Sequence, residues 1–227
     1  MKSVTIAAFG ALNQDSYKMF GERLAKAAHR RGLAVKLVAA GPYPNAEAVS
    51  EPGRPLRAEA LQDEEKRSQL LAAVASDAHG IDAQFADMLC MPCMSMIGFH
   101  DDIVRTLGHD IFSLGDALAE RYRGADRVGV IHMRPAKQRI IEIFGNRALT
   151  PDEAQAARLL AAEGSPAVVE AVMKEIAESW RSLGLKRILF ARADAPLAEK
   201  GPAKIPGVEI ESHFGVLAEA MVAACAE

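Results

Sequence analysis

Residues 4–39 read VTIAAFGALNQDSYKMFGERLAKAAHRRGLAVKLVA, and this stretch sets the topology expected of the chain. Val4 to Phe9 is a short apolar run rich in strand formers, and Gly10 ends it. Asn13, Asp15 and Ser16 follow, each with a side chain able to cap a helix. From Tyr17 to Arg31 apolar residues return at helical spacing, at Phe20, Leu24 and Ala27, until Gly32 closes the helix. Ala34 to Ala39 then reads as a second buried strand. A strand, a helix and a strand in this order call for a parallel pair with a right-handed crossover.

The same alternation continues outward. The prolines and glycines of 41–57 mark a surface loop, and a polar helix is expected from Ala58 to His79. Ala86 to Met91 is an apolar strand running into Pro92 and Cys93, with helical patterns at Asp101–Leu107 and Leu114–Arg123. The order then restarts at the strand Arg127–Met133, with Pro135 suited to the first turn of a helix reaching Phe144. Thr150 is the expected cap of the next helix, with Glu153 placed for a capping box. A helix over Pro166–Ser182 stops at Gly184, and a strand at Arg187–Ala191 leads into a loop over 193–206. A short strand at Val208–Ile210 and a helix at Val216–Ala224 complete the order. The predicted fold class is α/β, with two similar lobes, each a parallel sheet flanked by helices. Ligands in such sheets sit beyond the carboxyl ends of the strands, so an active-site cleft is expected between the lobes. The division expected is 1–103 plus 207–227 for the N-terminal lobe carrying Cys93, and 104–206 for the C-terminal lobe carrying Arg192.

The composition is that of an ordinary globular protein, 50% hydrophobic and 25% charged. A formal net charge of −3 and the lack of a basic stripe argue against nucleic acid as the partner. The opening apolar run is too short for a signal sequence or a membrane span, and no later run reaches membrane length. With three cysteines, an odd number, a disulfide framework is not expected, and a cytoplasmic location is.

Cys90 and Cys93 form a C-x-x-C pair, which suggests zinc or redox chemistry. Structural zinc needs two more ligands, and Cys225, His100 and His109 supply no matching pattern, so no metal is expected. A redox pair belongs after an early strand of a small domain, whereas this one comes far along the chain. Cys90 reads as a small buried strand residue. Cys93 lies past the strand end and just before a helix, where a thiolate is favoured. Cys225 falls on the last helix, whose apolar face (Val216, Leu217, Met221) should pack on the core.

The segment from Pro92 to Ile103 resembles the first catalytic segment of the aspartate/glutamate racemase superfamily, where a strand ends in P-C-N-T-A-H. Cys93 matches the catalytic cysteine; Met94, Ser95 and Ile97 replace the asparagine, threonine and histidine. Val4–Ser16 resembles the opening strand and turn, which puts Asn13 where a substrate carboxylate would be met. Arg54 or Arg57 falls where such enzymes carry an arginine for the distal carboxylate. Val128–Ala136 resembles the first strand of the second lobe, with Met133 and Ala136 in place of two threonines. Arg187–Leu197 resembles the segment G-C-T-E-x-P-L, but the second catalytic cysteine is Arg192, and Asp194 stands for the glutamate.

The resemblance implies a cofactor-independent isomerase or racemase acting at the α-carbon of a small amino acid or dicarboxylate, and a homodimer. Its catalytic residues would be Cys93 and Asp194. Its binding residues would be Asn13, Arg54, Arg57, Met94, Ser95, Met133 and Arg192. Arginine stays protonated and makes a poor base, so Arg192 does not simply replace a thiol. Ser95, His100 and Asp194 remain as partners for a single thiol. A lyase or decarboxylase of a small carboxylic acid, or a carboxylate-binding protein without catalysis, stays open beside the racemase reading.

Overall fold

A computed structural model describes residues 2–10, 14–39, 63–80, 86–132, 136–162, 165–192 and 205–226. β1 (Ser3–Ala8) lies at the centre of the first sheet, with β2 (Ala34–Ala39) on one side and β3 (Met88–Cys90) on the other, all parallel. A central parallel strand is buried on both faces, which is why Val4, Ile6, Ala7 and Ala8 form one apolar run. Between β1 and β2, α1 (Gln14–Arg30) buries Tyr17, Phe20, Leu24 and Ala27. α2 (Glu64–Gly80) buries Leu70, Val74 and Ala78, while 58–62, where this helix was expected to begin, lie outside the described residues. A 3-10 turn (Met94–Phe99) runs directly into α3 (His100–Leu107). One isolated parallel bridge, Cys90 to Phe112, extends the first sheet beyond β3. α4 (Leu114–Arg121) follows, capped by Ser113, whose Oγ accepts from the Asp116 amide at 3.1 Å.

The second sheet repeats this order. β4 (Val128–His132) is central, flanked by β5 (Ala148–Leu149) and β6 (Arg187–Ala191), with β7 (Glu209–Ser212) outside β6, and all pairs are parallel. α5 (Lys137–Phe144) follows β4; α6 (Glu153–Ala161) and α7 (Pro166–Ser182) precede β6; α8 (His213–Ala226) follows β7. Alternate residues of β4 and β6 feed two cores. Val130 and Leu189 join the large core of the first lobe, whereas Ile131, Ile188 and Phe190 pack with Trp180 and Ile176 under α7.

The division between lobes differs from the expected one at its C-terminal boundary. β7, expected with 207–227 in the first lobe, pairs with β6 and so belongs to the second sheet. Its partner strand is distant in sequence, and a short polar strand carries no mark of which sheet it joins. α8 does cross back: it packs on α1, with Phe214 against Phe20 at a ring separation of 6.0 Å. α4, the last helix of the first half, packs on α5 of the second, and α4 and α8 pack on each other. Each half thus lends its final helix to the other half's first helix.

At the N-terminal ends of β6 and β7, Arg187 and Arg121 converge on Glu209 and Glu211. The Arg187 guanidinium lies 4.7 Å over the Tyr122 ring, and Tyr122 Oη donates to Glu211 at 3.0 Å. Burial, reinforced by the Glu211 charge, pushes the Tyr122 phenol well above its usual range. This buttress lies at the opposite end of β6 from Arg192 and holds α4 to the second sheet.

Two further expectations differ in detail. The capping box of α6 is built by Asp152 and Gln155, not by Thr150 and Glu153. α8 begins at His213, three residues before the expected Val216, because it follows β7 without a loop. Among the described residues no helix is long and apolar enough to cross a membrane, and no group of three or more His, Cys, Asp or Glu is placed to hold a metal ion.

Candidate active site

The first sheet delivers one thiol to its carboxyl edge. The Phe9 amide donates to the Cys90 carbonyl at 3.2 Å, holding β1 and β3 together up to their ends. The chain then passes Met91 and Pro92 to Cys93, whose extended backbone (φ −111, ψ 110) precedes the 3-10 turn. The Met96 amide donates to the Cys93 carbonyl at 3.2 Å, and Met94, Ser95, Met96 and Ile97 are all buried. Cys93 Sγ lies 3.1 Å from Ser95 Oγ, and the thiol-bearing residue is only 1% exposed.

Gly10 makes this turn possible. Its φ of 121 is a conformation that side-chain-bearing residues rarely adopt. A Cβ there would lie 2.9 Å from Met91 Cγ and 3.2 Å from Cys93 Cβ. The end of β1 therefore abuts the thiol only as glycine. Tyr17 Oη donates to the Gly10 carbonyl at 3.2 Å and braces the same corner from α1.

The second sheet brings Arg192 to the corresponding edge, directly after β6 and 5% exposed. His132, the last residue of β4, pairs in register with Ala191 beside it. His213, at the joint of β7 and α8, is 1% exposed, and its Nδ1 lies 3.2 Å from the Phe190 carbonyl. The same ring meets the main chain of Pro92 on the first lobe. The strand end bearing Cys93 and the one bearing Arg192 therefore converge at His213. Burial outweighs both main-chain contacts and lowers the His213 pKa to about 4, so the ring is neutral at neutral pH.

The structure thus groups Cys93, Met94 and Ser95 on one lobe and places Arg192 on the other. Asn13, Arg54, Arg57, Met133 and Asp194 lie outside the described residues. His100 opens α3 and lines a separate groove of about 680 Å³ with Asp101, Asp116 and Ala220. The remaining thiols stand apart. Cys90 is fully buried in β3, and burial drives its pKa far up. Cys225 lies on the last turn of α8, where its carbonyl accepts from Lys2 Nζ, just before β1, at 2.7 Å. Sequence reasoning missed His132 and His213, because single histidines at strand ends belong to no spacing pattern.

No family model matches the sequence, and no curated protein matches it. Solved structures do. An aspartate racemase homologue from Pyrococcus horikoshii OT3 superposes with a TM-score of 0.71 over 100% of both chains, at 15% identity. A glutamate racemase from Francisella tularensis in complex with D-glutamate gives 0.64 over 97% of this chain and 80% of its own, at 14% identity. The maleate isomerase of Pseudomonas putida S16 with maleate gives 0.56 over 99% and 92%, at 15% identity. The chain shares the fold of these solved structures, at a sequence identity of 14–15%.

Proposed function

We propose that this chain is a cofactor-independent, racemase-like isomerase acting at the α-carbon of a small amino acid or dicarboxylate, with Cys93 as its catalytic thiol. One observation carries the reading: Cys93 stands at the carboxyl end of β3, 3.1 Å from the Ser95 hydroxyl and against Gly10. In the step proposed, the Cys93 thiolate takes the α-proton. The Cα–H bond breaks, an S–H bond forms, and the electron pair moves into the substrate carboxylate. Ser95 donates to the thiolate. Arg192 binds the carboxylate with its planar fork, and its fixed charge favours the electron-rich intermediate. Asn13, Arg54 or Arg57, Met94 and Met133 complete the binding site, and Asp194 is the second acid–base group.

The buried Arg192 favours a second reading, a single-thiol lyase or decarboxylase. There the carbanion left by loss of CO2 takes its proton from Cys93 Sγ–H, and no opposing base is needed.

Both readings place a carboxylate against Cys93, and alkylation tests this. Small amino acids and dicarboxylates should slow the labelling of Cys93 by iodoacetamide, read by peptide mass spectrometry. Arg192→Ala should abolish that protection. Labelling of Cys93 at one rate whatever carboxylate is added would remove the basis for either reading.

A further inference from the structure

One imidazole joins the two strand ends of the site. His213 Nδ1 lies 3.2 Å from the carbonyl of Phe190, two residues before Arg192. The ring also meets the main chain of Pro92, the residue before Cys93. A carbonyl only accepts, so the hydrogen bond to Phe190 forms in the tautomer with the proton on Nδ1. A neutral imidazole has one N–H, and in that tautomer Nε2 carries the lone pair. Nε2 is buried and has no hydrogen-bond partner among the described residues. The ring thus touches the main chain of both lobes, at Phe190 on the second and at Pro92 on the first.

We propose that His213 is a positioning residue for the Cys93 thiol. Anchored on Phe190 and pressed on Pro92, it sets where the Cys93 turn stands relative to Arg192. The proposal rests on the reading of Cys93 as the thiol of the site. It assigns His213 no proton transfer with substrate, since the ring faces main chain on both sides. A histidine serves here because it has the volume of a packing residue and a donor for one carbonyl. Small displacements of a reacting group are expensive, so a ring two residues from Arg192 and against the neighbour of Cys93 has leverage on rate.

Three substitutions test this. His213→Phe keeps the ring and removes both nitrogens. His213→Asn places an amide nitrogen near the Nδ1 position, and His213→Gln places one near Nε2. The first readout is the rate and pH midpoint of Cys93 alkylation; the second is kcat and KM for Cα proton exchange. His213→Phe should shift the alkylation profile and lower kcat on the order of tenfold to a hundredfold, with KM little changed. His213→Asn should recover most of both, and His213→Gln should not. A folded His213→Phe protein with the wild-type alkylation profile would overturn the proposal. If His213→Phe does not fold, equal profiles for the Asn and Gln variants would overturn it instead. Should the wild type exchange no substrate, the alkylation series still decides on the clasp, and only the functional reading fails.

Discussion

A methyl group at Gly129 would lie 2.6 Å from Trp180 Cζ3 and 2.7 Å from Leu185 Cδ2. Both neighbours are buried, Trp180 on α7 and Leu185 just after it, so neither can swing away cheaply. Gly129→Ala should therefore destabilise by about 1–3 kcal/mol, read as a lower urea midpoint at unchanged slope. His213 makes stability depend on acid. Its pKa falls from 6.5 to about 4 on folding, so below pH 6.5 the unfolded chain binds a proton that the folded one refuses. Stability from this group is complete above 6.5 and is lost as the pH drops toward 4, by roughly 3 kcal/mol in all. His213→Asn should flatten the stability profile between those limits, measured by urea unfolding at stepped pH. An acid limb as steep as that of the wild type would contradict it. His213 also shows why parts of the site were illegible: its importance lies in touching Phe190 and Pro92, both far from it in sequence.

Elements buried on two faces were the most legible. β1 and β6 are apolar runs with Gly10 and Gly184 at their borders, and each stands close to its expected place; β2, expected as a buried strand, has the expected bounds but is a half-buried edge strand with Lys36 exposed. Short elements that depend on a distant partner were not. β5 has two residues and exists through its register with Val128 and Gly129, and β7 alternates polar with apolar residues at a sheet edge. The start of α6 shows a competition between two good caps. Thr150-Pro151-Asp152-Glu153 offers both, and Asp152 wins because Gln155 completes the reciprocal box. The Asp152 carboxylate accepts from the Gln155 amide at 2.8 Å, and Gln155 Oε1 accepts from the Asp152 amide at 3.1 Å. Asp152→Ala should cost about 1 kcal/mol, whereas Thr150→Ala should cost much less. Denaturation midpoints of the two variants decide between the caps.

The whole molecule is tied by an exchange of helices. α8 leaves the second sheet and buries Phe214, Leu217, Met221 and Val222 against α1 and its surroundings, and α4 does the converse toward α5. Arg30 of α1 pairs with Glu219, and Lys2 holds the carbonyl of Cys225. Truncation after Ser212 would expose the apolar face of α1, including Phe20 and Leu24, so the shortened chain should lose cooperative unfolding, followed by circular dichroism. Survival of a cooperative transition would mean that the first lobe closes its core without α8. The Cys93 turn and the end of β6 before Arg192 both rest on this shared core. The proposed function has Cys93 remove an α-proton. The most direct test is deuterium uptake at Cα, with the protein held in D2O with a panel of amino acids and small dicarboxylates beside Cys93→Ala. The account predicts uptake on at least one compound by the wild type and none by the variant. Equal uptake by both proteins, or none across the panel with folded wild type, would contradict it.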